Sequence, residues 1–197
     1  DNGMIDLLTV QGTHPDGRPI STIHFVSGGF GALHGLDGRD CLPGPSNMAA
    51  VPVEIWESIT GMSVLSKKMI PDSGGAGEFR GGVGQEVTLR NDTGKPMTVL
   101  SMGNRTEFAA PGYNKGKPGA LREHQINGKT INPKGAHVLA PLDTITLRQA
   151  GGGGIGDPMM REKKKIERDL ALGLVSKEGA ERDYGYNAQV SQILGKI

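Results

Sequence analysis

Pro71-Asp72-Ser73-Gly74-Gly75-Ala76-Gly77-Glu78-Phe79-Arg80-Gly81-Gly82-Val83-Gly84-Gln85-Glu86 lies between two strand-like runs, and its reading decides the fold. Glycine is the costliest residue to order, so a cluster of it in a patterned chain marks positive-φ turns or close backbone approach. Two readings of the stretch stand side by side. In one, backbone N–H groups and Arg80 face a carboxylate or phosphate. In the other, the loop is a tight structural crossing and Arg80 bridges neighbouring loops. A nucleotide-hydrolase phosphate loop is excluded, because no Gly-Lys-Ser/Thr ending is present and a strand follows where a helix would be required.

A second run, Gly151-Gly152-Gly153-Gly154-Ile155-Gly156-Asp157-Pro158, leads toward a helix. Gly151, Gly153 and Gly156 satisfy G-x-G-x-x-G. The helix is followed by another helix and not by a parallel strand, so a structural turn is favoured over a dinucleotide fingerprint. Glycine makes up 32 of 197 residues, about twice the usual share of roughly 7%. With 36% apolar and only 4% aromatic residues, the core must rest on Val, Ile, Leu and Met.

Working outward, Ile20–Val26, Val64–Ile70, Gln85–Arg90 and Met97–Met102 alternate as strands, with shorter ones near 122–127, 136–140 and 143–149. Asn91-Asp92-Thr93-Gly94 predicts a hairpin over 85–102. Residues 4–11 are a short strand or helix end, and 33–47 and 103–120 are loops. Val51–Ser58 is ambiguous: Val51, Val53 and Ile55 alternate like a strand, and Pro52 suggests an edge or an entry. Asp157 predicts an N-cap with Pro158 at the first helical position. Ile166 and Leu170 share a face of that helix, Gly173 ends it, and a second helix runs from Ser176 to near Gly185. A third is expected over 187–194. The fold class is α+β, mainly antiparallel β as a sandwich or barrel-like unit with glycine-rich loops. A β-rich domain covers 1–156 and a helical tail 157–197.

The net charge of +1 creates no field for nucleic acid or an anionic membrane. A single cysteine, Cys41, excludes an intrachain disulfide and fits a cytoplasmic protein. No two of the five histidines stand at metal-ligand spacing, and no nucleophile-and-base set is visible.

These motifs resemble the hydantoinase B / 5-oxoprolinase family. The stretch 71–84 is similar to its most distinctive segment, and Gly28-Gly29-Phe30-Gly31-Ala32 to an earlier turn. Asn47 with Val51-Pro52-Val53-Glu54 resembles its Asn-x-Pro-Val-Glu segment, with extra residues between the Asn and the Pro. Arg105 and Lys115-Gly116-Lys117-Pro118-Gly119 resemble another, with Asn104 where Asp is usual. Gly151–Pro158, Gly173–Ser176 and Asp183–Gly185 resemble its C-terminal signature.

The resemblance is to the C-terminal part of a B-type subunit and extends along almost the whole chain, which begins with Asp1 and is expected to be one portion of that subunit. It implies ATP-dependent hydrolysis of a cyclic amide (a hydantoin, 5-oxoproline or a lactam). ATP and Mg would be bound by an A-type subunit, and any divalent metal by the N-terminal part of the B-type subunit, with neither bound by this chain. The implied partners are those two parts and a small-molecule substrate. Arg80 and Arg105 are candidates for substrate or oxyanion contact, as are Asn47 and Glu54; the catalytic residues are not identified. The alternatives are a non-catalytic interaction module, or part of an enzyme like acetone carboxylase.

Overall fold

The computed structural model describes residues 6–42 and 51–187. Among these residues, nine strands form two antiparallel sheets. The first has the order β2(Pro19–Val26), β1(Asp6–Thr13), β5(Met97–Met102), β8(Lys134–Leu139). The second runs β3(Met62–Met69), β4(Gln85–Asn91), β9(Thr144–Arg148), β6(Glu123–Ile126), β7(Lys129–Ile131). Side chains alternate between faces along a strand, so Leu8, Val10 and Val99 of the first sheet meet Val87, Leu89, Ile145 and Leu147 of the second in one buried core. The α+β class expected from the sequence is the one observed.

One local expectation needs correction, one ambiguity is resolved and one strand is new. The 85–102 hairpin does not form: β4 pairs with β3 and β9, whereas β5 pairs with β1 and β8. Both runs bury alternate residues, a pattern that facing strands of a sandwich satisfy as well as paired ones. Asn91 makes the difference at the corner. Its Nδ2 donates to the carbonyls of Lys95, Leu139 and Ala140, and its Oδ1 accepts from Thr93, which turns the chain from one sheet into the other. The stretch 51–58 is not a strand. Helix α1(Val53–Thr60) starts after Pro52, buries Trp56 and Thr60 one turn apart, and ends at Gly61 with φ 65°. Strand β7 was not anticipated; it pairs with β6 across Asn127-Gly128, both at positive φ. The helix predicted over 187–194 lies, beyond Asn187, outside the described residues.

Asp157 caps as predicted, accepting from Met159 N, but the element it caps is a 3-10 turn, Pro158–Met160. Arg161 is extended, with φ −65° and ψ 129°, and helix α2(Lys163–Ala171) begins beyond it. Helix α3(Lys177–Tyr184) has Ser176 as its side-chain cap and Gly185 as its left-handed terminator.

Below the sandwich the glycine-rich stretches pack backbone on backbone. Segments 28–39, 73–84, 110–120 and 149–155 lie side by side and exchange main-chain hydrogen bonds outside the two sheets. Gly82 N donates to Phe30 O at 2.8 Å, Gly152 N to Gly82 O at 2.9 Å, and Gly75 N to Gly152 O at 2.8 Å. Gly154 N donates to Lys117 O at 3.0 Å, and Lys117 N to Ala76 O at 2.7 Å. A Cβ built on Gly152 would meet Phe30 O, on Gly82 Arg39 O, and on Gly75 Lys117 O, each well inside the 3.0 Å that real Cβ atoms respect. Glycine is required here for the reason it is required at the axis of collagen: only a bare Cα lets the chains approach this closely. The tail packs on this layer, with Ala76 joining Ile166, Val175, Ala180 and Tyr184 in a second small core.

Gly152→Ala should therefore abolish cooperative folding, or lower stability by more than about 4 kcal/mol, the range of the most disruptive single substitutions. Gly94→Ala, at φ 74° with open space around it, should cost about 1 kcal/mol from backbone strain alone. Chemical denaturation of both variants checks the contrast.

His24, its ring centroid 4.4 Å from that of Trp56 in a tilted contact, gives a second test. Burial, assisted by Lys67, pushes its pKa down to about 4 from 6.5. The unfolded chain takes up this proton first as pH falls, so the contribution is complete above about pH 6.5 and is lost down to about pH 4. This is roughly 3 kcal/mol. His24→Gln should flatten stability against pH across that window, as read by denaturation at pH 7 and pH 4.5.

Candidate functional site: an ion-pair hub under an open groove

The glycine layer delivers Arg80 to the junction between loop 28–42 and α2. Only 2% of the residue is exposed. Arg80 Nε donates to Asp169 Oδ2 at 3.2 Å, and Nη1 to Asp40 Oδ1 at 3.0 Å and to its neighbour's carbonyl, Gly81 O, at 2.6 Å. Arg161, sent inward by its extended backbone, forks onto Asp37 with bonds of 2.7 and 2.9 Å and also reaches Asp169 Oδ2 at 2.6 Å. Two arginines and three aspartates thus form one connected set. Asp37 also accepts from Arg80 N, and Asp40 from Val83 N, both at 2.8 Å, so the hub is tied to the main chain of the glycine layer.

Burial alone would raise the Asp37 carboxyl, but Arg161 and Arg80 reverse it and hold the group below the usual carboxylate range. Burial likewise opposes the charge on Arg80, and Asp169 and Asp40 more than restore it. Asp37 and Arg80 are therefore charged at neutral pH. The arrangement fixes the loop and helix in place.

A groove of about 590 Å3 opens above the hub, lined by Phe30, Leu36, Arg39, Asp40, Arg80 and Arg168 among others. A second of about 350 Å3 is lined by Asn104, Arg105, Thr106, Glu107, Phe108 and Lys134. The structure places Arg80 in the first and Arg105 in the second, and the grooves share no lining residue. Arg105 has φ 59°, and its carbonyl accepts from Arg122 N at 2.9 Å. Glu54 is exposed in the first turn of α1, and Asn47 lies outside the described residues. Among the described residues, Arg80 and Arg105 therefore line different grooves.

Sequence reading missed the hub partners Asp37, Asp40, Arg161 and Asp169. It also missed a buried polar cluster that joins the two sheets. Asp6 Oδ2 lies 2.7 Å from His124 Nε2 and accepts from Gln149 Nε2 at 2.8 Å, and Ser101 Oγ is 3.1 Å from His124 Nδ1. Burial pushes Asp6 up, and His124 and Arg122 bring it below its ordinary value. Ser101, His124 and Asp6 match a nucleophile relay only in composition. Ser101 is 2% exposed and both partners 0%, so no substrate carbonyl reaches the hydroxyl.

Burial, with Asp40 beside it, pushes the Cys41 thiol up to about 11. Among the described residues no three His, Cys, Asp or Glu side chains are grouped to hold a metal ion. None of the described helices is long and apolar enough to cross a membrane.

Asp169→Asn keeps the shape of the hub and removes the charge that both arginines share. Breaking a buried pair in this way costs about 3–5 kcal/mol. The expected result is a destabilised chain with increased protease cleavage of the tail. Unchanged stability would show that Asp37 and Asp40 suffice.

The sequence pattern of the Hydantoinase B/oxoprolinase family matches residues 1–158. The chain is 30% identical over 173 residues to the caprolactamase subunit beta of Pseudomonas jessenii, covering 81% of this chain and 29% of that one. It is 26% identical over 209 residues to the acetone carboxylase alpha subunit of Xanthobacter autotrophicus, covering 83% of this chain and 27% of that one. The crystal structure of ATP-dependent caprolactamase from Pseudomonas jessenii has the same fold, with a TM-score of 0.78 at 22% identity over 92% of this chain and 34% of that chain. The chain thus spans less than a third of the length of the two relatives matched by sequence. On the match over residues 1–158, the chain belongs to the Hydantoinase B/oxoprolinase family.

Proposed function

We propose that this chain is part of a B-type subunit that carries out ATP-dependent hydrolysis of a cyclic amide together with an A-type partner. The observation that carries the reading is the 30% identity to a caprolactamase beta subunit over most of the chain, joined to a rigid glycine layer that displays two grooves. An unstrained amide ring is a poor electrophile. Phosphorylation of its oxygen by a separate ATP-handling subunit supplies a leaving group, and the B-type part then completes the opening. ATP and Mg belong to the A-type partner in this reading, and any divalent metal to another part of the B-type polypeptide. The protein works in the cytoplasm, where ATP is available.

Within this chain, the glycine layer and hub hold the substrate-facing loops still. Arg80 serves this through its carboxylate bonds. Arg105 is the residue we assign to the substrate or the developing oxyanion, because its side chain lines a groove and an arginine there would stabilise negative charge. Glu54 and Asn47 are assigned to substrate contact on motif position alone. The kinship with an acetone carboxylase alpha subunit supports a second reading, in which the activated substrate is carboxylated.

The test uses the complete polypeptide with its A-type partner. Ring opening of 5-oxoproline, hydantoin or caprolactam should require ATP. Arg105→Ala should lower kcat/KM at least tenfold, about the loss of one hydrogen bond to charge, with the complex intact by size-exclusion chromatography. ATP-dependent fixation of bicarbonate onto a ketone, with no ring opening, would replace the hydrolase reading by the carboxylase one.

A further inference from the structure

The two sheets of the sandwich differ in what they turn away from the core. On the second sheet the outer side chains are polar and answer one another. Glu86 meets Lys68 at 3.0 Å and Arg148 at 3.4 Å. The hydroxyls of Thr88 and Thr146 are 3.0 Å apart, and Glu123 accepts from Gln125 at 2.9 Å and from Thr130 at 2.7 Å. This face is completed for contact with water.

The first sheet lacks such a finish. Leu8, Val10 and Val99 point into the core, so alternation turns their neighbours outward. Register sets Ile23, Thr9, Leu100 and Ala136 in one row across all four strands. In the next row Phe25 stands beside Leu7, and Met102 beside Lys134. Ile23 is 43%, Leu100 40% and Met102 51% exposed. Of the residues in these two rows only Lys134 is charged, and it lies on the edge strand β8. A contiguous apolar face of this kind marks an interaction surface, and the second sheet shows that the same fold can be finished without one.

The size of the face distinguishes between occupants. Its strands are eight, eight, six and six residues long. At about 3.3 Å per residue and about 4.8 Å between strands they cover roughly 450 Å2. A free complex of ordinary stability covers about 800 Å2 per partner, so the face is small for a second copy or a separate subunit. Interfaces between domains of one chain begin at about 600 Å2 for both sides together, and a covalent link raises the effective concentration to about the millimolar range. The footprint therefore fits a neighbour joined through the same polypeptide. In the caprolactamase beta subunit the region matched by this chain is 29% of the whole.

We infer that the outer face of the first sheet seats another part of the B-type polypeptide, through an uncharged aliphatic surface packed across Ile23, Leu100 and Met102. A charged surface is excluded there, since its charges would be buried without partners. The inference rests on the proposed reading of the chain as part of a larger B-type subunit, and not on the reaction proposed for that subunit.

Oxidation by dilute hydrogen peroxide tests it, because a thioether is converted to the sulfoxide where solvent reaches it. Met102 reports on the first sheet. Met69, 45% exposed on β3 of the second, is the reference. Peptide mass spectrometry compares the 197-residue chain with the complete polypeptide, both without the A-type partner. The ratio of Met102 to Met69 oxidation should be at least about tenfold lower in the complete polypeptide. Leu100→Lys should restore the ratio there, while shifting the melting temperature of the 197-residue chain by no more than about 2 °C. An unchanged ratio would overturn the inference. So would protection that arises only on adding the A-type partner, or a concentration-dependent dimer of the 197-residue chain with Met102 protected, since each gives the face to a different occupant. Failure of ATP-dependent ring opening, with Met102 protected in the complete polypeptide, would instead count against the proposed reaction alone.

Discussion

The contact of a bare glycine Cα with a neighbouring carbonyl oxygen is the constraint on which the rest of the molecule depends. Four chain segments approach one another so closely that Gly75, Gly82 and Gly152 leave no room for a methyl group. In exchange, their amides find main-chain acceptors at ordinary distances outside any sheet. The layer has almost no side chains of its own, so it gains little hydrophobic stabilisation and depends on hydrogen bonds and van der Waals contact. That explains how a chain with 4% aromatic residues builds an ordered structure of this size.

A layer without side chains must also be fastened at its margins. The sandwich does this above, through β4 and β9, which run directly out of the glycine segments. The hub does it below, where Arg80 and Arg161 share Asp169 at the base of α2. Asp169 is the third charge on which both arginines converge, and this makes the tail a structural part of the layer. The groove sits at this junction, between a loop fixed by the layer and a helix fixed by the hub. Its shape is therefore set by elements that are costly to move.

Much of the sandwich was legible because alternation survives in Ile20–Val26, Gln85–Arg90 and Met97–Met102. Pairing was less so: β4 and β5 bury alternate residues on facing sheets, and alternation is the same for a facing strand as for a neighbouring one. Val51, Val53 and Ile55 imitate a strand, but the burial of Trp56 and Thr60 at helical spacing prevails. The Asn127-Gly128 turn was a visible hairpin signal, with Ile126 and Ile131 close on either side. The hub was not legible, since Arg161 and Asp37 are 124 positions apart and no local pattern links them. For the buried cluster one signal existed. Asp6 shares a face with Leu8 and Val10, and an ionisable side chain in register with core residues needs a buried partner.

Amide hydrogen exchange of the glycine layer, followed by NMR on the 197-residue chain, tests the central claim most directly. If these contacts hold the molecule together, the amides of Gly75, Gly82, Gly152 and Gly154 will exchange only with global unfolding, as slowly as those of Val87 and Leu89 at the centre of the second sheet. Exchange at loop-like rates, with the sheets still protected, would contradict the account and make the glycine segments passengers on the sandwich.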